Sequence, residues 1–300
     1  MATAALPHAV GVIGAGAMGM GVVASLLRAG FDTRVRDIRP EAEAEAAARG
    51  ATCEPSPAAL ARACGVAIVL VVDADQVDTV LFGADGAAPA LAGGRIVLLA
   101  STVDPDYVTA LAPRVAAHGG VLVDAPVSGG PRRAHDGTMT MMIAGDEAAR
   151  ARCAPVLAAV AGTVFHVGAQ AGHAARFKIV NNLLAAVNLA AGAEALALAA
   201  KAGLDPRLVV DVVNASSGGS WIFADRMPRA LADDYAPRAA ARILTKDVGI
   251  AAAFAQRHGV PAPFAAAAHA AFAATVAAGY GDEDDAAIVK YCRGRAGLPR

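Results

Sequence analysis

The sequence predicts an α/β protein whose chain changes character near its middle. Over residues 9–168 short apolar runs alternate with helical stretches, and from about Ala171 onward the pattern is helical. Strands that alternate with helices are typical of βαβ units and a mainly parallel sheet. The length of 300 residues agrees with two domains of roughly 100–200 residues each. We therefore predict a sheet domain over 1–170 and a helical domain over 171–300.

The predicted strands are short runs of apolar or β-branched residues. They cover residues 10–13, 33–37, 66–72, 95–99, 121–124, 138–144 and 164–167. The predicted helices cover residues 18–29 and 40–49 in the first half, and 174–202, 207–214, 238–258 and 264–278 in the second. The helix over 174–202 is the longest, and we expect Gly203 and Pro206 to end it.

Composition excludes several classes of protein. Hydrophobic residues make up 56% of the chain and charged residues 18%, which rules out a disordered chain. The formal net charge of −1 provides no overall positive field for nucleic acid or an anionic membrane. The four cysteines include no CxxC pair, which argues against a zinc knuckle or a disulfide framework and favours the reducing cytoplasm.

The apolar content also requires a search for membrane and targeting segments. The longest uncharged run, residues 259–281, is mostly alanine and contains Pro261 and Pro263. We interpret it as a helix of a folded domain rather than a membrane span. The N-terminus has no basic stretch followed by an apolar one, so we predict no signal peptide.

The strongest local pattern is G-x-G-x-x-G, formed by Gly14, Gly16 and Gly19 directly after the first predicted strand. The first glycine permits a tight turn, the second lets the backbone approach a pyrophosphate, and the third allows the helix to pack closely on the sheet. Ala17 and Met18 belong to the same loop, where a helix N-terminus offers free N–H groups to phosphate. The pattern predicts dinucleotide binding in preference to a merely structural turn.

Asp37 ends the second predicted strand, about 20 residues beyond the glycines. A carboxylate at this place accepts hydrogen bonds from a ribose diol and repels the 2′-phosphate of NADP. Arg36 and Arg39 flank it and could soften that repulsion, but we interpret both as solvated surface residues. The sequence therefore favours NAD.

Three further segments carry groups that could do chemistry. Ser128, Gly129 and Gly130 follow a predicted strand, and such glycines expose N–H groups that can hold a carboxylate, although a strand-ending turn explains them equally well. Lys178 and Asn182 share one face of the long helix, either for function or for a salt bridge and a helix hydrogen bond. Lys246 precedes Asp247 in an apolar helical pattern, where a surface ion pair is the simpler interpretation.

Four motifs together carry a family resemblance. They are GAGAMGMG at 14–21, DAPVSGG at 124–130, KIVNN at 178–182 and KDVGIA at 246–251. In this order they resemble the β-hydroxyacid dehydrogenases, the family that includes 3-hydroxyisobutyrate dehydrogenase and tartronate semialdehyde reductase. The resemblance covers nearly the whole chain. Within the family, residues 214–228 and 279–287 are most similar to the branch that oxidises L-threonate.

The resemblance implies a fold and a set of site residues. The fold is a doubly wound Rossmann domain followed by an all-helical substrate and oligomerisation domain, joined by the helix that bears Lys178. Lys178 would be the catalytic acid/base, and Ser128, Gly129 and Gly130 would hold the substrate carboxylate, with Asn182 beside them. Thr102 would lie near the nicotinamide, and Lys246 at the mouth of the cofactor or substrate site.

One position departs from the family pattern. Many relatives have a glycine two residues after Gly172, where this chain has Ala174. The change puts the flexibility of the backbone there in doubt and leaves the lysine untouched.

The predicted function is NAD-dependent oxidation of a small hydroxy acid, with L-threonate oxidised at C2, by a homodimer or homotetramer. A lysine in a partly dry cleft has a lowered pKa and can act as the base. No HExxH pattern or His/Asp cluster at ligand spacing is present, so we predict no metal. The alternatives are 3-hydroxyisobutyrate oxidation, a semialdehyde or imine reductase, and a non-catalytic nucleotide-binding protein. Lys178 argues against an imine reductase. The absence of an additional chromatin-reading domain or a basic tail argues against a non-catalytic nucleotide-binding protein.

Overall fold

The structure is a computed structural model and describes residues 9–298. The chain forms two compact units, Met1–Lys178 and Ile179–Arg300. The boundary between them falls inside a single long helix, α8, which spans His173–Lys201. The start of the chain, on which the prediction of no signal peptide depends, lies partly outside the described residues.

Within the described residues, the first unit contains one sheet of nine strands. They are β1 (Ala9–Ile13), β2 (Asp32–Arg36), β3 (Thr52–Cys53), β4 (Val66–Val69), β5 (Ile96–Leu99), β6 (Val121–Asp124), β7 (Val127–Ser128), β8 (Met139–Ala144) and β9 (Ala161–Gly168). Their order is β3-β2-β1-β4-β5-β6-β8-β7, with β9 paired to β8. Strands β1 to β6 run parallel, whereas β8 is antiparallel to β6 and β7. The prediction of a doubly wound, mainly parallel sheet is confirmed.

The strand order reverses between β1 and β4, which are neighbours on either side of the first crossover. In an open α/β sheet, ligands bind outside the carboxyl ends of the strands at this switch point. The G-x-G-x-x-G loop follows β1 directly, so the topology places the sequence motif where the fold binds nucleotides.

Seven helices cover this sheet before α8 begins. They are α1 (Ala17–Arg28), α2 (Pro40–Ala48), α3 (Pro57–Ala63), α4 (Ala74–Phe82), α5 (Pro105–Ala116), α6 (Gly130–Asp136) and α7 (Glu147–Val160). Two cores lie on opposite faces of the sheet because strand side chains alternate. In β1, Val10 and Val12 join the core under α1 and α7, whereas Ala9 and Ile13 join the core under α3 and α5.

The second unit is helical, as predicted. After α8 it contains α9 (Pro206–Asn214), α10 (Trp221–Leu231), α11 (Ala241–Arg257), α12 (Pro263–Thr275) and α13 (Ile288–Arg295). A π-helical turn, Val276–Tyr280, follows α12, so the helix predicted over 264–278 ends early; Gly279 breaks the turn with a φ of +94°.

A buried ion cluster ties α10 to the segment before α13. Arg226 Nε lies 2.6 Å from Asp285 Oδ1, and Arg229 Nη1 lies 3.0 Å from Asp284 Oδ1. All four side chains are less than a tenth exposed. Buried charges require such pairing, because an unpaired ion away from water is very costly.

Helix α8 has one property that the sequence analysis overlooked. It is the one described helix long and apolar enough, by length and composition alone, to cross a membrane. In its most apolar window, 44% of the residues are buried inside the protein. One such helix is weak evidence of a span, since the core helix of a globular domain passes the same test.

Candidate active site

The glycine-rich loop is shaped by close backbone contacts. Gly14 has a φ of +95°, its N–H donates to the carbonyl of Arg36 at 2.9 Å, and a Cβ there would stand 2.4 Å from the carbonyl oxygen of Leu70. A Cβ on Gly19 would stand 1.9 Å from the carbonyl oxygen of Gly14. Only glycine fits either position, so these two residues hold the turn between β1 and α1 in its sharp form.

Gly16 is different, because its φ of −65° suits any residue and a Cβ there would meet nothing nearer than Arg39 Nη2 at 4.0 Å. The space in front of Gly16 therefore lies open at the N-terminus of α1, beside exposed Ala17 and half-buried Met18. An open approach to a helix N-terminus is what a pyrophosphate needs. The loop thus fits a dinucleotide cofactor.

Asp37 lies just beyond β2 and faces this loop. Its Oδ2 accepts a hydrogen bond from the N–H of Ala15 at 2.7 Å, and its Oδ1 accepts from the Arg39 backbone and Nε at 2.9 and 3.1 Å. Burial alone would raise the pKa of Asp37, but the hydrogen bonds from Arg39 and Ala15 outweigh it and hold the pKa below its usual range. The group is therefore a carboxylate fixed beside the phosphate-binding loop.

Arg36 and Arg39 lie at the surface as interpreted, Arg36 half-buried and Arg39 exposed, but both form ion pairs that the sequence analysis did not predict. Arg39 pairs with Asp37 and donates to the carbonyl of Ala15 at 3.2 Å. Arg36 pairs with Glu43 at 2.6 Å and donates to the carbonyl of Asp37. Sequence spacing could not reveal these pairs, because they depend on how the loop after β2 folds back.

Two other strand ends lie at the same edge of the sheet. After β5, the hydroxyl of Ser101 accepts a hydrogen bond from the N–H of Val71 at 2.9 Å, and Thr102 follows, half-buried. The bond explains why the strand predicted over 66–72 ends at Val69: the chain beyond it turns toward Ser101. Thr102 is thereby placed at the carboxyl end of β5.

Ser128 ends the short strand β7, where it lies opposite Thr140 of β8. Gly129 and Gly130 follow with φ angles of +132° and +74° and begin α6. All three residues are half-buried. Two successive glycines in the left-handed region turn the backbone sharply at this edge, which is the local geometry expected of an anion-holding loop.

Asp124, the last residue of β6, contacts the start of α8. Its Oδ2 accepts hydrogen bonds from the N–H groups of Gly172 and Ala175 at 2.8 and 3.0 Å, and the residue is 1% exposed. Burial raises the pKa of Asp124 to about 6, although the backbone N–H groups oppose the shift. The residue belongs to a motif that we singled out for Ser128, but its own role escaped the sequence analysis.

Lys178 lies in the second turn of α8 and is 8% exposed. Lysine side chains are seldom so deeply buried in folded proteins. Ala174, the departure from the family pattern, lies within the helix, fully buried against Met142 and Ala144. Its methyl group therefore fills the core at this point rather than stiffening a loop.

In the second unit, Asn182 and Lys246 meet through Asp247. Asn182 Nδ2 donates to Asp247 Oδ2 at 2.7 Å, and Lys246 Nζ donates to Asp247 Oδ1 at 2.6 Å. The ion pair of Lys246 and Asp247 is therefore present as interpreted, but its carboxylate is 5% exposed and so does not lie at the surface. The sequence did contain a signal of this buried carboxylate, because Asp247 stands inside an apolar helical pattern.

Trp221 begins α10 and is 61% exposed. Its exposure argues against a role in packing α10 onto the rest of the unit. Phe223 and Met227 pack α10 instead, both close to Gly192 of α8.

A cleft of about 430 Å³ opens on the outer side of the glycine-rich loop. Its walls carry both signs of charge, and the charged and polar lining residues are Arg39, Glu41, Glu45, Arg49 and His135. Ser128 and Lys178 do not line it. The cleft therefore borders the phosphate-binding loop without containing the groups assigned to chemistry. Within residues 9–298, no three His, Cys, Asp or Glu side chains are grouped to hold a metal ion.

Family models match almost the whole described chain. Residues 9–168 match the NAD-binding domain of 6-phosphogluconate dehydrogenase, and residues 171–292 match the NAD-binding domain of NADP-dependent 3-hydroxyisobutyrate dehydrogenase. The protein belongs to the β-hydroxyacid dehydrogenase family. The resemblance found in the sequence motifs is thus confirmed, and the chain is an NAD-dependent hydroxyacid dehydrogenase with a Rossmann domain.

Individual relatives agree with this assignment. L-Threonate dehydrogenase of Cupriavidus necator is 46% identical over 94% of this chain and 95% of its own length. L-Threonate dehydrogenase of Escherichia coli is 42% identical over 95% of each chain. A crystal structure described as 3-hydroxyisobutyrate dehydrogenase of Salmonella typhimurium is 41% identical, with a TM-score of 0.88, and covers 94% of this chain and 99% of that one.

Proposed function

We propose that the protein oxidises L-threonate, or a closely related four-carbon aldonate, at C2 and yields the 2-oxo acid. The observation that carries the substrate is the 46% identity, over 94% of the chain, with an enzyme named L-threonate dehydrogenase. Small polar residues in the loop before α10 support it: Ser216 and Ser217 are exposed, and Ser220 caps the helix by accepting from the Phe223 N–H. A polyol acid needs several such hydrogen-bond partners.

Lys178 is the proposed acid/base. In the oxidation, its neutral amine takes the proton of the C2 hydroxyl as the C2–H bond breaks and the C2–O double bond forms. Bound NAD supplies the hydride acceptor. In the reverse direction the ammonium returns the proton, and the burial of Lys178 supports a functional role because lysine is seldom so deeply buried.

The remaining proposed residues bind and orient. Ser128, Gly129 and Gly130 hold the substrate carboxylate through the sharp turn that begins α6. Asn182 orients the substrate, and its amide is itself oriented by the hydrogen bond to Asp247. Fixed groups of this kind reduce the entropy lost on reaching the reactive geometry.

The cofactor contacts follow the loop geometry. Gly14, Gly16, Ala17, Met18 and Gly19 form the pyrophosphate cradle, and Asp37 accepts from the adenosine ribose. Thr102 lies beside the nicotinamide at the end of β5, and Lys246 at the mouth of the site. The fixed carboxylate of Asp37 favours NAD over NADP, because a 2′-phosphate would approach a negative charge.

The substrate is tested by following NADH formation across 2- and 3-hydroxy acids. We expect kcat/KM for L-threonate to exceed that for 3-hydroxyisobutyrate by about 10-fold or more, since a site that bonds hydroxyls rejects an analogue that lacks them. A higher kcat/KM for 3-hydroxyisobutyrate would overturn the substrate and leave the family assignment intact.

The lysine is tested with the same assay. Lys178→Ala should lower kcat by about 10²–10⁴-fold, the usual effect of a placed acid or base, with little change in NAD affinity. Lys201→Ala, at the exposed end of the same helix, is the matched control and should keep parental kcat. Near-normal turnover by Lys178→Ala would contradict the assignment.

A second candidate is oxidation of 3-hydroxyisobutyrate. The description of the Salmonella structure, 41% identical to this chain, favours it. That substrate needs an apolar wall for its methyl group, which Trp221 could provide. Trp221→Ala would then raise KM for 3-hydroxyisobutyrate more than for L-threonate.

We also propose that the protein works in the cytoplasm as a homo-oligomer, with the sheet domain over 1–170 and the helical domain over 171–300. Exposed apolar side chains on α8, Phe177, Val180 and Leu184, support self-association, because isolated chains seldom expose such a stripe. Light scattering coupled to gel filtration measures the oligomeric state.

A further inference from the structure

Asp124 is the most deeply buried acidic group of the first unit, and no step of the proposed mechanism uses it. It is 1% exposed and ends β6, where its Cα pairs with Leu99 of β5 and Ala144 of β8. Its position is therefore fixed by strands on both sides. A carboxylate held in this way at the centre of a sheet is costly, and a buried polar group of this kind requires an explanation.

One oxygen of Asp124 bonds the start of α8 at two points. Oδ2 accepts from the N–H of Gly172 at 2.8 Å, just before the helix, and from the N–H of Ala175 at 3.0 Å, within its first turn. The first N–H groups of a helix have no partner inside it. Asp124 supplies that partner from β6, a strand far away in sequence.

The turn before α8 is held from the other side as well. Gly172 has a φ of +92°, and a Cβ there would stand 2.3 Å from Thr109 Oγ1. The hydroxyl of Thr109 lies 2.9 Å from the carbonyl oxygen of Pro105 and 3.3 Å from that of Ala171. The turn is thus packed against α5 on one side, and the Asp124 carboxylate hydrogen-bonds its backbone from β6.

Lys178 follows Ala175 by three residues on the same helix, which is about 4.5 Å along the axis at about 1.5 Å per residue. Ser128 follows Asp124 in the same short segment of chain. One side chain therefore connects the strand end that leads into the proposed carboxylate-binding turn with the helical turn that carries the proposed acid/base.

We propose that Asp124 is a positioning residue that fixes the first turn of α8 on β6 and thereby sets the place of Lys178 against the substrate carboxylate site. The proposal rests on the proposed role of Lys178. Because a shift of about 1 Å in a reacting group can cost about 10²-fold in rate, an anchor one turn away is enough to govern kcat.

The test measures kcat, KM and NAD affinity in two variants. Asp124→Asn keeps the shape and one acceptor but loses the charge that strengthens both hydrogen bonds, and Asp124→Ala loses the acceptor. We expect kcat to fall about 3- to 10-fold in the first and about 10²-fold in the second. The Kd for NAD, whose proposed cradle follows a different strand, β1, should stay within about twofold of the parent.

Asp124→Asn is expected to fold, since it removes a buried charge at constant shape, so it decides the proposal even if Asp124→Ala does not fold. A kcat within twofold of the parent in Asp124→Asn would overturn the proposal. Asp146→Ala is the matched control: Asp146 accepts from the Ala149 N–H at the start of α7, a helix without proposed catalytic residues. It should keep parental kcat.

A double-mutant cycle separates this proposal from the proposed function. If Asp124 acts through Lys178, Asp124→Ala should lower the residual kcat of Lys178→Ala by less than about threefold. A full further loss of about 10²-fold would overturn the positioning role while the lysine assignment stands. Normal turnover by Lys178→Ala alone would instead contradict the proposed function, whatever the Asp124 variants do.

Discussion

Asn182 donates a hydrogen bond of 2.7 Å to Asp247, although the two residues are 65 positions apart in the chain. The same carboxylate accepts from Lys246 at 2.6 Å. Asp247 therefore holds two groups that the sequence motifs assign separately to substrate and cofactor. Neither side chain can reorient without breaking its hydrogen bond to this carboxylate, and the bond from Asn182 is fully buried.

Asp247→Ala should raise the substrate KM at saturating NAD by about 10-fold or more, because it releases the Asn182 amide. Loss of a buried hydrogen bond to a charged group costs about 1.5–3 kcal/mol, which sets this scale. Asp211→Ala, on the exposed face of α9, is the control and should leave KM unchanged. An unchanged KM in Asp247→Ala would show that Asn182 does not depend on this carboxylate.

Gly16→Ala and Gly19→Ala should separate binding from folding. A Cβ on Gly16 meets open space, so the variant should keep the parental melting temperature and bind NAD about 10-fold or more weakly by titration. A Cβ on Gly19 collides with the Gly14 carbonyl, so that variant should lose about 2 kcal/mol or more of unfolding free energy. Parental NAD affinity in Gly16→Ala would mean that the pyrophosphate lies elsewhere.

Asp37→Ser should weaken NAD binding and lower the ratio of kcat/KM for NAD to kcat/KM for NADP. The variant loses the ribose acceptor and the bond to the Ala15 N–H, worth roughly 1–3 kcal/mol, and leaves Arg39 free to meet a 2′-phosphate. Arg39→Ala retains the carboxylate and should widen the preference for NAD. The ratio of kcat/KM for the two cofactors measures both effects, and equal ratios in all three proteins would exclude a role for this pair.

The stability of the parent should depend on the ionisation of Asp124. Burial raises the pKa of Asp124 from 3.8 to about 6, so the folded state binds the proton more tightly than the unfolded state. The contribution of Asp124 to the unfolding free energy is therefore full below about pH 4 and is lost as the pH rises through about 6. The loss is up to about 3 kcal/mol.

Urea unfolding of the parent and Asp124→Asn at several pH values isolates this effect. The stability of the variant relative to the parent should rise between pH 4 and pH 6 and then level off. A difference that stays flat across that range would contradict the raised pKa. A variant that is relatively more stable at pH 8 and yet slower would mean that the carboxylate is kept for activity at the expense of stability.

Arg226→Ala should destabilise the second unit by about 3–5 kcal/mol, the usual cost of breaking a buried ion pair by removing one partner. Asp285 would lose the cation at 2.6 Å and remain beside Asp284. The loss should be larger at pH 8 than at pH 5, because protonation relieves the uncompensated charge. The double variant Arg226→Met with Asp285→Leu should recover most of the stability, and failure to recover would point to packing rather than charge.

The sequence predicted seven of the nine described strands and missed the two-residue strands β3 and β7. The central strands β1, β4 and β5 were easy to predict because they are buried on both faces. Runs such as 96–99 are apolar at every position and stand out from their surroundings. Helix α6 escaped prediction because it begins with Gly130 and Pro131, has no apolar periodicity, and is stabilised by contact with α1, where Gly21 leaves no room for a Cβ beside Ala134. Helix α10 was missed for a similar reason, since Pro228 lies inside it.

The residues of the candidate site also fall into a group that local motifs predicted and a group that they could not predict. Local motifs predicted the glycine-rich loop and the turn at Ser128, because each is a short segment whose chemistry lies in its own residues. Asp124, Asp247 and Arg39 could not be assigned, because each acts through a partner brought near only by folding. For Asp124 and Asp247 the signal in the sequence is a charged residue in an apolar strand or helix, which indicates a constraint but does not identify the partner.

Helix α8 runs without interruption through the boundary between the two units, at Lys178 and Ile179. Most domain boundaries fall in exposed linkers, where insertions and gene rearrangements are tolerated. Here a single inserted residue would rotate every later side chain of the helix by about 100° relative to the earlier ones. Any insertion at this boundary must therefore keep the helical phase if Lys178 and Asn182 are to stay on one face of α8.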